Sequence, residues 1–272
     1  MRPRQPGVLF YKEGKSVMAK AFEIKPLIRK AFNDFLEILF PGNIYCICCG
    51  RIIDDTRPYA LCDHCVRAFH WATGKTCLKC GKIMDVNSRR SLCRDCSELS
   101  HRYEQGLTCV QYGLYERSVM LSFKYGDQAY IGEKLGDILF DRISPELESG
   151  LAFDCIIPVP MHKRKVRKRG YNQAELMARP LAHKTGVPLL KDALVRIRES
   201  KPMSKLSTFD RMENVKNIFT LREDAVKLIR SKTVLLIDDI YTTGSTADEC
   251  SKVLLEAGAE KVYLLTFAAG AN

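Results

Sequence analysis

The chain of 272 residues has no apolar run approaching the ~18 residues that a membrane-crossing helix needs. It contains neither G-x-x-x-x-G-K-[ST] nor G-x-G-x-x-G, which removes two common glycine-rich nucleotide loops. Acids are in deficit: 32 Asp and Glu face 43 Lys and Arg, and the net charge of +11 favours polyanionic partners. No recognition-helix motif marks a sequence-reading DNA-binding protein. The opening Met-Arg-Pro-Arg-Gln-Pro-Gly is no secretory signal, so a cytoplasmic location is expected. The apolar fraction of 46% is ordinary for a globular protein, whereas 12 cysteines are not.

Eight of those cysteines form four Cys-x-x-Cys pairs: Cys46/Cys49, Cys62/Cys65, Cys77/Cys80 and Cys93/Cys96. Each position in the first half recurs 31 residues later, a tandem duplication, and twelve residues separate the two pairs of each half. Knuckle-loop-knuckle spacing lets four thiolates surround one tetrahedral zinc, so two structural Zn²⁺ sites are predicted. Sequential pairing (46, 49, 62, 65 and 77, 80, 93, 96) follows the duplication; a cross-braced arrangement would use the same eight residues. A disulfide framework is the competing reading, weakened by the absent export signal. Cys48 faces Lys79 in the second copy and is read as a non-ligand, and His64 and His70 are surplus to complete four-thiolate sets. Cys109, Cys155 and Cys250 sit in apolar segments and read as small core residues.

Residues 234–246, Val-Leu-Leu-Ile-Asp-Asp-Ile-Tyr-Thr-Thr-Gly-Ser-Thr, carry the other strong signal. Val234 to Ile237 is short and β-branched, hence a buried strand. Ala247, Cys250, Val253, Leu254 and Ala257 have helical spacing that stops at Gly258, and Lys261 to Phe267 reads as a further strand. Such a unit crosses over right-handed in a parallel sheet and presents its loop where open α/β sheets bind ligands. Amides from Thr242, Thr243, Gly244, Ser245 and Thr246 can hold a phosphate monoester at the helix start. Asp238 and Asp239 suit the hydroxyls of a sugar, so the run matches a ribose 5-phosphate.

The run VLLIDDIYTTGST resembles the ribose-phosphate fingerprint of the type I phosphoribosyltransferases, which use phosphoribosyl pyrophosphate (PRPP). More closely, the chain resembles the competence protein ComF family, through LFPGNIYCICCG (39–50), SFKYGD (122–127), IIPVPMHKRKVRKRGYNQAELMA (156–178) and RMENVKNIF (211–219). The resemblance runs from about Leu39 to the C-terminus. It implies an α/β fold: a type I phosphoribosyltransferase-like parallel sheet flanked by helices, preceded by a small tandem zinc-ribbon domain. The expected divisions are a loosely attached N-terminus (1–26), an amphipathic helix (27–40), the zinc ribbons (41–105) and the phosphoribosyltransferase-like domain (106–272).

Phe153 to Val159 reads as a strand, and six of the eight residues from His162 to Arg169 are Lys or Arg, expected as a loop before a helix opening at Gly170. In the ComF-like pattern Val159 and Pro160 mark the pyrophosphate loop, with Arg169, Asn172 and Gln173 in the following turn. The same resemblance makes residues 200–217 a mobile hood in which Arg211 and Asn214 match Arg-x-x-Asn-Val, while Met203 stands where glutamine is expected. Lys124 matches the family without a role the residues reveal.

These parts imply PRPP bound with Mg²⁺, its 5-phosphate on Thr242–Thr246 and its hydroxyls on the catalytic pair Asp238 and Asp239. Val159, Pro160, Arg169 and Arg211 complete the PRPP-binding set. Transfer of the phosphoribosyl group to an unidentified nitrogen nucleophile would release pyrophosphate. The alternative is a non-catalytic zinc-containing DNA-uptake factor that binds single-stranded DNA, with Tyr171, Trp71 and Phe69 as stacking residues. Competence and DNA-uptake proteins are the implied partners.

Overall fold

The computed structural model describes residues 44–126, 128–200 and 207–271. The expected helix at 27–40, the segment before it and Met203 lie outside the described residues.

Two cysteine ribbons come first, and several features of one recur in the other. Tyr45 bridges Ile52 and Thr76 bridges Ile83, both antiparallel, and the short helices α1 (Asp63–Ala68) and α2 (Arg94–Glu98) follow. Gly50 and Gly81 turn the knuckles with φ of 72° and 76°, a left-handed conformation that a side chain would resist.

Then come β1 (Gly106–Gln111), α3 (Leu114–Tyr125), α4 (Ile131–Glu148), β2 (Cys155–Pro158), α5 (Lys163–Arg169), α6 (Gln173–Thr185) and β3 (Leu194–Arg196). The chain continues through α7 (Thr208–Val215), β4 (Phe219–Leu221), α8 (Val226–Ile229), β5 (Thr233–Tyr241), α9 (Ser245–Glu256) and β6 (Lys261–Ala269). Strands β1-β6-β5-β2 form one parallel sheet in that order, and β3 and β4 pair antiparallel beside it.

Alternation along the strands builds two cores. Val234 and Leu236 of β5 join Cys250 and Leu254 of α9 on one face, whereas Leu235 and Ile237 join Phe123, Leu135 and Met177 on the other. Each fully buried aliphatic chain contributes about 1.5–3 kcal/mol. The second cysteine set belongs to the α9 face and the first to the face of α3, α4 and α6. The sheet edge is covered: the segment between the cysteine sets pairs with β1, Ala72 N donating to Cys109 O (2.8 Å) and Gln111 N to His70 O (2.8 Å).

The helix after β5 packs against β4, β6 and α7, and the long helix after β2 packs against α4, β2 and β5, so they occupy opposite faces. In open α/β sheets such a switch of sides places a ligand crevice beyond the carboxyl ends of the two strands, here β5 and β2.

Three expectations need correcting. Strand β5 runs past Ile237 to Tyr241, which puts Asp238 and Asp239 in the strand rather than in a loop. The basic run is helix α5, not a loop; His162 Nδ1 caps it by accepting from Arg164 N (3.4 Å) and Gly170, at φ 85°, ends it. Straight-chain Lys and Arg have good helix propensity, and water screens their mutual repulsion. The polar stretch expected as a hood loop contains α7, with Ser207 Oγ accepting from Asp210 N (3.2 Å) as its cap.

Candidate functional site

The acid pair stands at the mouth of the crevice. Being consecutive strand residues, the two carboxylates turn to opposite sides of the sheet. Asp239 reaches the α3 side, where the Lys124 ammonium pairs with it. Asp238 faces the α9 side, where it lies within electrostatic reach of Cys250 and of Arg196 on β3. Burial, and then the charge of Asp239, push the Asp238 carboxyl up to about 7, against the Asp239 amide (N to Asp238 Oδ1, 2.8 Å), Lys124 and Arg196.

Immediately after β5 the chain turns into α9 through Gly244 at φ 81°. A Cβ there would lie 2.7 Å from Tyr241 Oη and 2.8 Å from His101 Cε1, so the turn admits only glycine without rearrangement. Thr243 and Ser245 are buried and hydrogen-bonded to each other (2.9 Å), whereas Thr242 and Thr246 are half-buried. The first amides of α9 have no intrahelical acceptor, and the helix dipole adds positive potential there. The loop can therefore accept an anion beside two acids.

The third wall comes from β2. Val159 N donates to Ile237 O (2.8 Å), which holds Val159 and Pro160 next to the acid pair. Asn172 Nδ2 donates to Val159 O (3.1 Å) and fastens that turn to the start of α6. Arg169 Nη1 donates to Gln173 Oε1 (2.7 Å), and its guanidinium lies 5.3 Å over the Tyr125 ring. Partial burial and then the charge of Arg196 pull the Lys165 ammonium below its ordinary value, with Arg169 and Lys124 acting in the same direction. Lys165 of α5 is thus within electrostatic reach of Arg196, Arg169 and Lys124, with Glu199 acting against them, and a surplus of positive charge of this kind suits a multiply charged anion.

Arg211 lies on α7, which packs against α9. Two groups here take roles that the sequence does not state: Lys124, which the family resemblance marks without a role, and Arg196, which nothing marks. Lys124 is separated from Asp239 by most of the domain in sequence. Among the described residues the buried Nε of Arg196 has no hydrogen-bond partner, and its guanidinium lies 5.5 Å over Phe219. Its strand was expected, but nothing in the local pattern singles it out. The aromatic residues considered for base stacking are occupied. Phe69 is buried against Trp71 (5.4 Å), Trp71 Nε1 donates to Val66 O (2.7 Å), and Tyr171 stacks on Phe123 (5.6 Å) while donating to its carbonyl (2.6 Å).

The cysteines assemble as two sets, Cys46/Cys49/Cys62/Cys65 and Cys77/Cys80/Cys93/Cys96, the sulfurs of each lying within 4.8 Å of one another. This is sequential grouping, not cross-bracing. Cys49 and Cys62 sulfurs are 3.8 Å apart and Cys80 and Cys93 sulfurs 3.7 Å, the edge length of a tetrahedron with Zn–S near ~2.3 Å. Backbone amides support the thiolates: Cys62 N donates to Cys46 Sγ (3.4 Å) and Cys93 N to Cys77 Sγ (3.2 Å). Both sets fit a structural zinc.

Residues 35–113 match the double zinc ribbon domain family. Competence protein F of Haemophilus influenzae is 33% identical over 144 residues, 52% of this chain and 62% of that protein. The DNA utilization protein YhgH of Escherichia coli K12 is 30% identical over 128 residues, 47% and 55% of the two chains. Competence protein ComFC of Bacillus subtilis is 28% identical over 145 residues, 52% and 54%. The aligned part thus spans little more than half the length of these relatives. Among solved structures, a glutamine PRPP amidotransferase from B. subtilis superposes with a TM-score of 0.36 at 20% identity, over 54% of this chain and 30% of that one. Residues 35–113 are thus similar to a double zinc ribbon, and over about half its length the chain is similar to the ComF-type competence and DNA utilization proteins.

Proposed function

We propose that the crevice binds PRPP and that the chain is a phosphoribosyltransferase-like protein of the ComF type serving competence and DNA uptake in the cytoplasm. The observation that carries this reading is the juxtaposition of Asp238 and Asp239 with the Thr242–Thr246 turn at the start of α9, with the cations Lys124 and Arg196 within electrostatic reach of Asp238. The 5-phosphate takes the amides and half-buried hydroxyls of the turn, with Thr242 and Thr246 nearest to solvent. The ribose hydroxyls donate to the two carboxylates. The diphosphate lies toward Val159, Pro160, Arg169 and the cations beside them, and Arg211 reaches the ligand from α7. The acid pair offers hard oxygen donors that would hold a Mg²⁺ bound with the diphosphate, and such an ion would offset part of its charge.

If the site turns over, breaking the C1–O bond places positive charge on the ribose, which the carboxylates stabilise, while the basic side chains stabilise the departing pyrophosphate. A nitrogen nucleophile then bonds to C1. Calorimetry of PRPP with Mg²⁺ tests the binding step: wild type binds, and the Asp238→Asn/Asp239→Asn variant loses at least about tenfold in affinity. Equal binding by both removes the site. Pyrophosphate release in the presence of candidate bases then separates an enzyme from a sensor.

The exposed cations of α5 favour one second reading, a single-stranded DNA contact in a protein without turnover. A steep salt dependence of oligonucleotide binding, lost on replacing Arg167 and Lys168 by Gln while PRPP binding persists, would support it.

A further inference from the structure

The segment that joins the cysteine region to β1 is hydrogen-bonded to both ends of the Thr242–Thr246 turn. His101 is buried there, its side chain only 1% exposed, with Nδ1 2.6 Å from Asp248 Oδ2. The Arg102 amide takes the other carboxylate oxygen (2.9 Å to Oδ1). His101 Nε2 is 3.3 Å from Tyr241 Oη, and that hydroxyl is 2.8 Å from Tyr103 Oη. With the imidazole proton on Nδ1 the chain is satisfied in one direction: Tyr103 donates to Tyr241, Tyr241 to His101, and His101 to Asp248. Tyr241 is the last residue of β5 and Asp248 lies in the first turn of α9. One imidazole therefore spans the turn from strand to helix, and its Cε1 occupies the space that a Gly244 side chain would need.

The residues that hold these tyrosines are interleaved with the second cysteine set. Lys79 Nζ donates to Glu104 O (2.9 Å) and to Tyr103 O, and Lys79 O accepts from Gly106 N (2.7 Å). Lys82, 3% exposed, pairs with Asp95 (2.6 Å) and places its ammonium 5.7 Å over the Tyr241 ring. Lys79 and Lys82 flank Cys80, and Asp95 precedes Cys96. The first set faces elsewhere: Cys48 Sγ donates to Tyr115 O (3.6 Å), Cys48 O accepts from Ser118 Oγ (3.0 Å) and His64 meets Tyr115 (3.1 Å).

We propose that His101 is a positioning residue for the Thr242–Thr246 turn, and that the second cysteine set, through Lys79, Lys82, Tyr103 and Tyr241, fixes that turn in the shape that receives a sugar phosphate. The first set has no part in this. The ligand half of the proposal rests on reading the turn as a phosphate cradle; the positioning half does not. Folding of the second ribbon and readiness of the ligand turn are then one event, because the tyrosines and the buried lysine belong to both.

The test uses the full zinc-loaded chain and three readouts: zinc content, amide hydrogen exchange across residues 242–248, and calorimetry with ribose 5-phosphate. In His101→Ala, exchange across the turn speeds about tenfold and the dissociation constant rises about tenfold, the effect of one lost hydrogen bond to a charged group, with two zinc ions retained. His101→Asn, which keeps a donor toward Asp248, recovers most of both. Cys77→Ser/Cys80→Ser reproduces the faster exchange, whereas Cys46→Ser/Cys49→Ser leaves residues 242–248 unchanged. Unaltered exchange in His101→Ala overturns the proposal, as does an equal response to loss of either cysteine set. Should the second-set variant fail to fold, the His101 pair still decides. If wild type shows no ribose 5-phosphate binding while exchange follows the expected pattern, the phosphate reading falls and the positioning role stands.

Discussion

The Lys124 ammonium, at the last turn of α3, is ion-paired with the Asp239 carboxylate of β5. This contact crosses from the helical layer to the mouth of the crevice and joins two segments far apart in sequence. Asp238, by contrast, has no ion pair of its own: it accepts from the Asp239 amide and lies within electrostatic reach of Lys124 and Arg196. Lys124→Met removes that charge and leaves Asp239 to act on its neighbour unscreened. The Asp238 carboxyl should then titrate above its wild-type value of about 7. Carbon-13 carboxyl shifts followed between pH 5 and 9 read this directly, and an unmoved midpoint would mean that the pair is electrostatically separate.

A carboxyl raised in the folded state also makes stability fall with pH. Asp238 titrates near 7 folded and near ~3.9 unfolded, so between those values the folded chain binds more protons and loses stability as pH rises. Above pH 7 the full penalty is present, on the order of 2–4 kcal/mol before solvent screening. Asp238→Asn should therefore be more stable than wild type at pH 8 by about 1–3 kcal/mol and nearly equal to it at pH 4.5. Urea unfolding at the two pH values checks this; a gain that is the same at both would assign the effect to something other than ionisation.

Gly244 combines a left-handed φ of 81° with two immovable neighbours, Tyr241 Oη at 2.7 Å and His101 Cε1 at 2.8 Å from a built Cβ. Neither neighbour can retreat, because each is hydrogen-bonded within the buried network. Gly244→Ala should cost about 2–4 kcal/mol, more than conformational strain alone. Gly150, with φ 96° and open space around its Cβ, is the matched control and should cost about 1–2 kcal/mol as Ala, from backbone strain alone. Chemical denaturation of the two variants side by side separates crowding from backbone strain.

What was legible in the sequence follows from what is local. Four cysteine pairs at fixed spacing, and an apolar strand running into acids, threonines and glycine, each state their chemistry within a few residues. The parallel sheet flanked by helices follows from the strand-loop-helix-strand order at 234–267. A run of like charge suggests a loop, yet α5 is a helix, because Lys and Arg are good helix formers and His162 caps the segment. The cap at Ser207, with an acid three residues on, was the overlooked sign of α7. The roles of Lys124, Arg196 and His101 are legible only in the fold. Their partners Asp239, Asp238 and Asp248 lie on other elements, and only the folded sheet brings them together.

Metal stoichiometry gives the last prediction, because Cys48 sits within reach of the first set without belonging to it. Cys48 is not among the four sulfurs that group as the first ligand set. Its sulfur donates to Tyr115 O instead. The purified chain should carry two zinc ions by elemental analysis, and Cys48→Ser should retain both. Cys62→Ser should lose one while keeping the Cys77–Cys96 site, since sequential grouping makes the two sites independent. A cross-braced protein would answer differently: losing one ligand would disturb the shared frame and release both ions. One ion lost from Cys48→Ser would make that thiol a ligand and displace one of the four cysteines grouped with it.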